Sequence, residues 1–152
     1  MRRIILEVMF KKASIEDVKG IIELCNDCFE ENTSLNYALR IFNNTINDPN
    51  QIYIVGIVLG KIVAHTKITI VPTMYEDMNT YSIINHFCVK ESYRRNGIGS
   101  KMLEEVKRIS LKMNCKSIKL WSNNYRDAAH GCYLKFGFEK NDATFFSKEI
   151  KD

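Results

Sequence analysis

A short segment between residues 88 and 103 combines glycines and positive charges in a pattern that could bind an anion. It reads Cys-Val-Lys-Glu-Ser-Tyr-Arg-Arg-Asn-Gly-Ile-Gly-Ser-Lys-Met-Leu. Glycines allow a tight backbone turn, and amides at the N-terminus of a following helix favour negative charge. Arginine and lysine would add charge-assisted hydrogen bonds. The sequence therefore predicts a turn that binds a pyrophosphate, formed by Arg94, Arg95, Asn96, Gly97, Ile98, Gly99, Ser100 and Lys101.

The residues on either side predict a strand before this turn and a helix after it. Residues 81–89 are rich in β-branched and aromatic side chains, whereas Ile98, Met102 and Val106 recur at helical spacing. The turn lacks the P-loop pattern, and Met102 occupies the third glycine position of a dinucleotide site. An ordinary strand-to-helix turn, with glycine for its geometry and arginine for solubility, is the alternative.

Two motifs in this order resemble those of the GNAT superfamily of N-acetyltransferases. Arg94-x-x-Gly97-x-Gly99 is similar to the acetyl-CoA signature, and residues 126–138, which contain Tyr133 and end in Gly-Phe, are similar to the carboxy-terminal pattern. The resemblance covers nearly the whole chain. It implies a single acetyltransferase domain over residues 1–152 that uses acetyl-CoA and transfers the acetyl group directly to a primary amine of a small molecule.

The resemblance also implies roles for individual residues. Backbone groups of Phe87, Cys88 and Val89 would pair with the pantetheine arm and supply the oxyanion donor. Asn124 would hydrogen-bond the same arm, and Tyr133 would protonate the departing thiolate as a general acid. Asn124 serving its own turn and Tyr133 packing as a core aromatic are the alternatives.

Amine acetylation also requires a base, because the amine must be neutral to attack. An alkyl amine with a pKa of ~10.4 costs about 4–5 kcal/mol to deprotonate at pH 7. Related sequences often carry glutamate where Asn85 stands, and asparagine cannot accept the proton. His86 could accept it only if a bulge turned it to the cleft, since adjacent strand residues face opposite ways. A water chain ending on Glu30 or Glu31 is the other option, and the sequence leaves the base open.

Two amphipathic helices are predicted at residues 15–29 and 35–46. The resemblance implies that this helix pair and the loop between them form one wall of the acceptor site. Ser14 and Asp17 form a capping-box pattern, and Ser34 can cap the second helix. The substrate-binding candidates are Phe29, Glu30, Glu31 and Asn85, with Asn26 and Tyr37 on the same wall. A solvated acidic loop is the alternative for the loop residues. His65, in mid-strand without an evident partner, is expected to be structural.

The remaining patterns predict strands at 6–11, 51–59, 62–71, 81–89, 116–122 and 144–148, with a hairpin turn at Gly60-Lys61. Helices are expected also at 98–113 and 126–136, the last closed by Gly137. The resulting order, βααβββαβαββ, predicts a mixed α/β fold, GNAT-like, with a central mixed sheet of six to seven strands flanked by about four helices.

Composition places further bounds on the function. The chain has 152 residues, of which 45% are hydrophobic and 26% are charged, as in an ordinary globular domain. Its net charge of +4 is spread along the chain, without a basic stripe that would indicate nucleic acid. The five cysteines do not suggest a disulfide framework, and Cys25-x-x-Cys28 has no second pair for zinc, so no metal is expected.

No signal peptide and no apolar run of about 18 residues is evident, so a cytoplasmic protein without membrane contact is expected. The acceptor amine is not identified by the sequence. A protein or peptide N-acetyltransferase, a non-catalytic acyl-CoA-binding module and a nucleic-acid-binding domain remain as alternatives. Homodimers are common in the family, and the sequence leaves that option open.

Overall fold

The computed structural model describes residues 7–151 and divides the chain into two compact units that meet between Trp121 and Ser122. The first unit contains one five-stranded sheet in the order β1-β2-β3-β4-β5. The first four strands are antiparallel, and β5 is parallel to β4. The strands are β1 (Met9–Lys12), β2 (Gln51–Val58), β3 (Lys61–Val71), β4 (Tyr81–Val89) and β5 (Ser117–Lys119).

Three α-helices belong to the first unit and one to the second. They are α1 (Val18–Phe29), α2 (Leu35–Thr45) and α3 (Ile98–Lys112), followed by α4 (Asp127–Phe136) in the second unit. Short 3-10 turns span Ile15–Asp17 and Glu91–Tyr93. This element order confirms a mixed α/β fold with one mixed sheet and four helices. None of the helices in residues 7–151 combines the length and apolar character needed to cross a membrane.

Local sequence explains where the helix pair begins. The backbone N–H of Ser14 donates to Asp17 Oδ2 at 2.9 Å, completing the capping box ahead of α1. Ser34 Oγ accepts from the Tyr37 N–H at 3.2 Å and caps α2. Helix α1 ends at Glu30, which adopts a left-handed conformation with φ 52°. Both predicted caps are therefore present, and the 30–34 loop is held between two defined helix ends.

The β2–β3 hairpin turns through Leu59 and Gly60, one residue earlier than the predicted Gly60-Lys61 turn. Both have positive φ, 49° and 77°, as a two-residue turn that matches the strand twist requires. Lys61 then already belongs to β3, opposite Val58. The sequence identified the glycine correctly but not its place in the turn.

Helices cover both faces of the sheet. On one face, Val55 and Cys88 belong to a buried cluster with Val18, Ile21 and Phe42 from α1 and α2. On the other face, a second cluster joins α3 to the sheet through Ile98, Met102, Val58, Val63 and Ala64. The strands between these layers are consequently buried on both faces, as their long apolar runs indicate.

The strand number and the last element of the predicted order are wrong for the described residues. Residues 7–151 contain five strands, not six to seven, and the predicted strand at 144–148 is irregular. Phe145 and Phe146 are exposed there. A β-pattern supplies propensity, but a strand also requires a neighbouring edge for its backbone groups. The start of the predicted first strand, Leu6, lies outside the described residues.

The second unit is built around α4. Gly137 closes this helix in the left-handed region with φ 114°, as predicted for a C-cap. The Phe138 N–H donates to Tyr133 O at 3.0 Å, and the Tyr133 and Phe138 rings lie 5.8 Å apart edge to face. The Gly-Phe end of the motif therefore packs back on its own tyrosine.

Candidate functional site

A β-bulge interrupts β4 at His86, one of the residues considered above as the general base. His65 pairs with Cys88 and Lys67 pairs with Asn85, so two steps along β3 match three along β4. His86 is the residue that absorbs the irregularity, with φ 50°. Bulges commonly redirect a side chain. Asn85 and His86, which would face opposite ways in a regular strand, consequently both line the same cavity.

His86 forms a hydrogen bond with the acidic loop after α1. Its Nε2 lies 3.0 Å from Glu31 Oε1 and 3.2 Å from Oε2. Phe29 contacts the imidazole edge to face, with ring centroids 5.0 Å apart. Both members of the pair are partly exposed, at 47% and 37%. The structure therefore brings Phe29, Glu31, Asn85 and His86 together, whereas Glu30 does not line the cavity.

The partner of His86 Nε2 determines which nitrogen of this ring can act as a base. An ionised carboxylate only accepts hydrogen bonds, so Nε2 carries the proton in the His86–Glu31 pair. The other nitrogen, Nδ1, is then the basic one in the neutral ring. The same logic orients the histidine of serine hydrolases, in which a carboxylate holds the ring and selects the tautomer.

The loop that carries Glu31 is closed by Asn26. The Asn26 side chain donates from Nδ2 to Thr33 O at 3.1 Å and accepts from the Thr33 N–H at 3.0 Å. Asn26 was predicted on the acceptor wall, but its amide is engaged in holding this loop. Its contribution to the site is therefore the placement of Glu31 opposite His86.

A cavity of about 190 Å³ lies between the helix pair and the sheet. Its walls come from α1, the 30–34 loop and α2 on one side and from β2, β3 and β4 on the other. The polar or titratable lining residues are Cys25, Glu31, Thr33, Tyr37, Tyr53, His65, Lys67, Asn85 and His86, and the apolar ones are Val18, Ile21, Ile22, Ala38, Ile41 and Phe42. Apolar atoms nevertheless form most of the lining surface, because several of the polar residues also contribute carbon atoms to it.

His65, expected to be structural, lies on the wall of this cavity. It is 3% exposed, and its Nδ1 donates to Ile54 O at 2.8 Å. Burial outweighs this hydrogen bond and lowers the pKa of His65 to about 4. The ring is therefore neutral at pH 7. Sequence patterns gave no sign that this histidine would border the same cavity as His86, because the two are brought together by strand pairing.

The predicted phosphate-binding turn has the geometry of an uncapped helix N-terminus. Gly97, with φ 76°, precedes α3 and receives no side-chain cap. The first helical bond runs from the Lys101 N–H to Gly97 O at 3.1 Å. The amides of Ile98, Gly99 and Ser100 consequently have no acceptor within the helix. These three donors, with exposed Arg95 and Lys101 nearby in sequence, fit a pyrophosphate group.

The side chains of Asn96 and Arg94, in the same turn, donate to backbone carbonyls of the protein. Asn96 Nδ2 donates to Tyr93 O at 3.0 Å and to Arg94 O at 3.1 Å. Arg94 Nε donates to Val89 O at 2.9 Å, and its guanidinium lies 3.8 Å from Cys28 Sγ. Arg94, although exposed, is therefore held against the end of β4. The same contacts occupy the Val89 carbonyl, one of the groups expected to pair with pantetheine.

Three cysteines cluster at that end of β4. Cys28 Sγ lies 3.7 Å from Val89 O. A hydrogen bond from Cys88, and to a smaller extent Arg94, lowers the pKa of Cys28 to about 6. Neighbouring Cys25 and Cys28, together with burial, raise the pKa of Cys88. All five cysteines are free thiols, and no group of three or more His, Cys, Asp or Glu within residues 7–151 could hold a metal ion.

Tyr133 and Asn124, the two predicted site residues of the second unit, differ in local setting. Tyr133 lies on α4 in contact with Phe138, and Asn124 is exposed in the turn before that helix. Asn123, next to it, donates from Nδ2 to Tyr125 Oη at 3.1 Å. The roles of Tyr133 and Asn124 stay predictions.

Comparison with solved structures shows a widely shared fold. The chain is similar to a transcriptional regulator from Bacillus halodurans C-125 (TM-score 0.85, 20% identity, 95% of this chain and 100% of that one). It is similar to glucosamine-6-phosphate N-acetyltransferase from Arabidopsis thaliana (TM-score 0.79, 20% identity, 95% and 99%). It is also similar to a predicted acetyltransferase with acetyl-CoA from Clostridium acetobutylicum (TM-score 0.77, 18% identity, 93% and 96%).

The sequence itself carries a family match. Residues 18–138, which are most of the chain, match the profile described as the acetyltransferase (GNAT) family. The matched region includes the helix pair, the bulged strand, the glycine turn and the Gly-Phe end of α4. The chain therefore belongs to the GNAT family of acetyltransferases.

Proposed function

We propose that the protein is an acetyl-CoA-dependent N-acetyltransferase that transfers the acetyl group directly to the primary amine of a small molecule. The observation that carries this proposal is the β4 bulge, which places His86 beside Asn85 at the cavity and within hydrogen-bond distance of Glu31. Family membership supports the reaction class. The family match spans both compact units, which supports one acetyltransferase domain over residues 1–152.

His86 and Glu31 can deprotonate the amine, which is the step that a strand glutamate at the position of Asn85 would otherwise perform. An amine in the cavity mouth arrives as an ammonium ion and must lose a proton. His86 Nδ1 takes that proton, while Glu31 keeps the ring oriented and stabilises the imidazolium that forms. The acetyl group itself is supplied by acetyl-CoA as a thioester. Tyr133 is proposed as the acid that returns a proton to the thiolate.

The glycine turn supplies the proposed cofactor contacts. The unpaired amides of Ile98, Gly99 and Ser100 would hold the pyrophosphate, with Arg95 and Lys101 adding charge. A glucosamine-phosphate acetyltransferase and an acetyltransferase with acetyl-CoA share the fold, which agrees with this assignment.

The remaining cofactor contacts are proposed from the family resemblance. The pantetheine arm would follow the backbone of Phe87, Cys88 and Val89 and meet Asn124. Arg94 would act indirectly, because its side chain bonds the Val89 carbonyl.

The cavity volume of about 190 Å³ supports a small-molecule acceptor over a peptide. Strand residues of β2, β3 and β4 line one side of it, and α1, α2 and the loop between them line the other. A peptide acceptor remains the second candidate, with only its terminal residue inserted. The paired His86 and Glu31 argue against a non-catalytic binding module, because such a module needs no base.

Activity measurements test the proposed base. Thiol release from acetyl-CoA is followed with a panel of primary amines for wild type, His86→Gln and Glu31→Gln. We expect His86→Gln to lower kcat by about 100-fold or more and Glu31→Gln to lower it less. Glu23→Gln, on the exposed side of α1, is the matched control and should keep wild-type kcat. Unchanged turnover in His86→Gln would remove His86 from the mechanism.

Cofactor binding is tested separately by calorimetric titration with acetyl-CoA. Gly97→Val places a β-branched residue at φ 76°, where glycine is required, and should weaken binding strongly while thermal unfolding shows an intact fold. Tyr133→Phe should retain binding and lose turnover. Absence of binding by the wild type at millimolar acetyl-CoA would overturn the enzymatic proposal.

A further inference from the structure

One nitrogen of the cavity wall, His65 Nε2, has no hydrogen-bond partner among residues 7–151. His65 Nδ1 bonds a carbonyl, which can only accept, so Nδ1 carries the proton and Nε2 of the neutral ring is a hydrogen-bond acceptor. No residue of the described chain bonds Nε2. Within residues 7–151, Ser122 Oγ is the one fully enclosed side-chain oxygen or nitrogen without a partner. Nε2 is therefore not fully enclosed, and the space that it can reach is the cavity that His65 lines.

His65 Nε2, as an unpaired acceptor on the cavity wall, favours a ligand that carries a hydrogen-bond donor. Leaving a buried acceptor unpaired costs more than a typical hydrogen bond gains, so a ligand that supplies a donor is favoured over one that does not. Sites built to bond a substrate hydroxyl discriminate strongly against the analogue that lacks it. His65 is a neutral ring under assay conditions, because burial lowers its pKa to about 4. A neutral donor such as a hydroxyl can pair with Nε2 without bringing an unpaired charge onto the buried wall.

The rest of the wall limits the body of the ligand. Of the eight side chains that α1 and α2 contribute to the cavity, two are Cys25 and Tyr37, and the other six are apolar: Val18, Ile21, Ile22, Ala38, Ile41 and Phe42. The cavity volume of about 190 Å³ equals that of about six waters, which suits a ring with a short chain. A polyamine or sugar would bring several polar groups against these side chains and leave them unpaired.

The titratable groups of the cavity include the His86–Glu31 pair and a lysine, Lys67, on the strand wall. Glu31 and His86 form one pair, at the partly exposed mouth. Lys67 Nζ donates to Gln51 Oε1 at 2.8 Å and lies 5.2 Å from the centre of the Tyr53 ring, so it already has partners. Both partners of Lys67 are uncharged, so its ammonium keeps a positive charge on the strand side of the cavity. His65 Nε2 is the neutral acceptor on the buried part of that wall.

We propose that the acceptor is a primary amine on a ring-sized apolar body with a hydroxyl-type donor at the end away from the amine, and that His65 Nε2 is the specificity-determining group that accepts from this donor. This inference rests on the proposed acetyltransferase function. The amine would meet His86 and Glu31 at the mouth while the hydroxyl reaches His65 on the buried wall.

Three amines of known structure test the inference on the wild-type protein. Tyramine has the ring and the hydroxyl, phenethylamine lacks only the hydroxyl, and spermidine is a polyamine without a ring. We expect kcat/KM for tyramine to exceed that for phenethylamine by about 10- to 100-fold. Spermidine should be the poorest of the three. Calorimetric binding of each amine to the protein saturated with CoA gives a second readout that does not depend on turnover.

Variants locate the effect at His65. His65→Phe removes the acceptor and should bring the tyramine to phenethylamine ratio to about 1 or below. Because this change also removes the bond to Ile54 O, His65→Gln, which retains a donor and an acceptor, is measured beside it and should keep part of the preference. A wild-type preference that survives in a folded His65→Phe protein would overturn the role of His65.

The outcomes separate this inference from the proposed function. Acetyl-CoA binding and turnover with equal kcat/KM for tyramine and phenethylamine, or with spermidine preferred, would overturn the inference alone. If no amine is turned over, failure of tyramine to bind the CoA-saturated protein would likewise overturn it. Absence of acetyl-CoA binding would instead overturn the proposed function.

Discussion

Acidification should destabilise this protein through His65 before most carboxylates are protonated. The pKa of His65 is lowered from 6.5 to about 4 in the folded protein. Burial is the largest cause, since the side chain is enclosed and its charged form loses hydration. The bond to Ile54 O acts in the opposite direction, and nearby His86 lowers the pKa further. The folded protein therefore resists a proton that the unfolded chain accepts.

The sign and size of the effect follow from this difference. Between pH 6.5 and 4 the unfolded state binds more protons at this position, so the free energy of unfolding falls as pH falls. Above about pH 6.5 both states are neutral there and the contribution is constant. With 1.36 kcal/mol per pKa unit, the loss at pH 4.5 relative to pH 7 is about 2.5 kcal/mol. This is a large part of the stability of an ordinary domain.

Urea unfolding at pH 7.0, 5.5 and 4.5, followed by fluorescence of the single tryptophan, Trp121, measures this loss. His65→Gln is the reference, because glutamine does not titrate. Carboxylates with lowered pKa values, such as Asp17, contribute to both proteins and cancel in the difference. The wild type should lose about 2.5 kcal/mol more than the variant between pH 7 and 4.5. Equal losses in the two proteins would refute the reasoning.

Further predictions concern the thiol cluster and the core. The hydrogen bond from Cys88, with Arg94, lowers the pKa of Cys28 to about 6. Iodoacetamide at pH 7 should therefore alkylate Cys28 before the other cysteines, as measured by peptide mass spectrometry. The Arg94→Ala variant should slow the alkylation of Cys28. A different cysteine reacting first would contradict this. Met102→Ala should lower the free energy of unfolding in urea by about 2–5 kcal/mol, because Met102 is fully buried between α3 and the sheet. Leu111→Ala, at an exposed site on the same helix, should cost far less; equal losses would contradict the packing argument.

The elements of this fold could largely be predicted from the sequence, because the signals for them are local. The capping box at Ser14, the cap at Ser34, the glycine before α3 and the C-cap at Gly137 all act within a few residues of the backbone they shape. The predicted strand at 144–148 is wrong for the opposite reason. Its β-propensity is local, but pairing depends on a partner strand elsewhere in the chain.

The candidate site could not be predicted from local patterns, because its residues are far apart in the sequence. His86 faces the cavity because β3 and β4 pair out of step, and that register is decided by two strands packing between helices on both faces. Glu31 reaches His86 from a loop 55 residues earlier, and His65 joins them from the neighbouring strand.

The sequence by itself thus determined the family, the glycine turn and the helix ends. The cavity, and the placement of the proposed base His86 on its wall, were decided only by tertiary structure, since a bulge and a shared wall arise from how strands and helices pack.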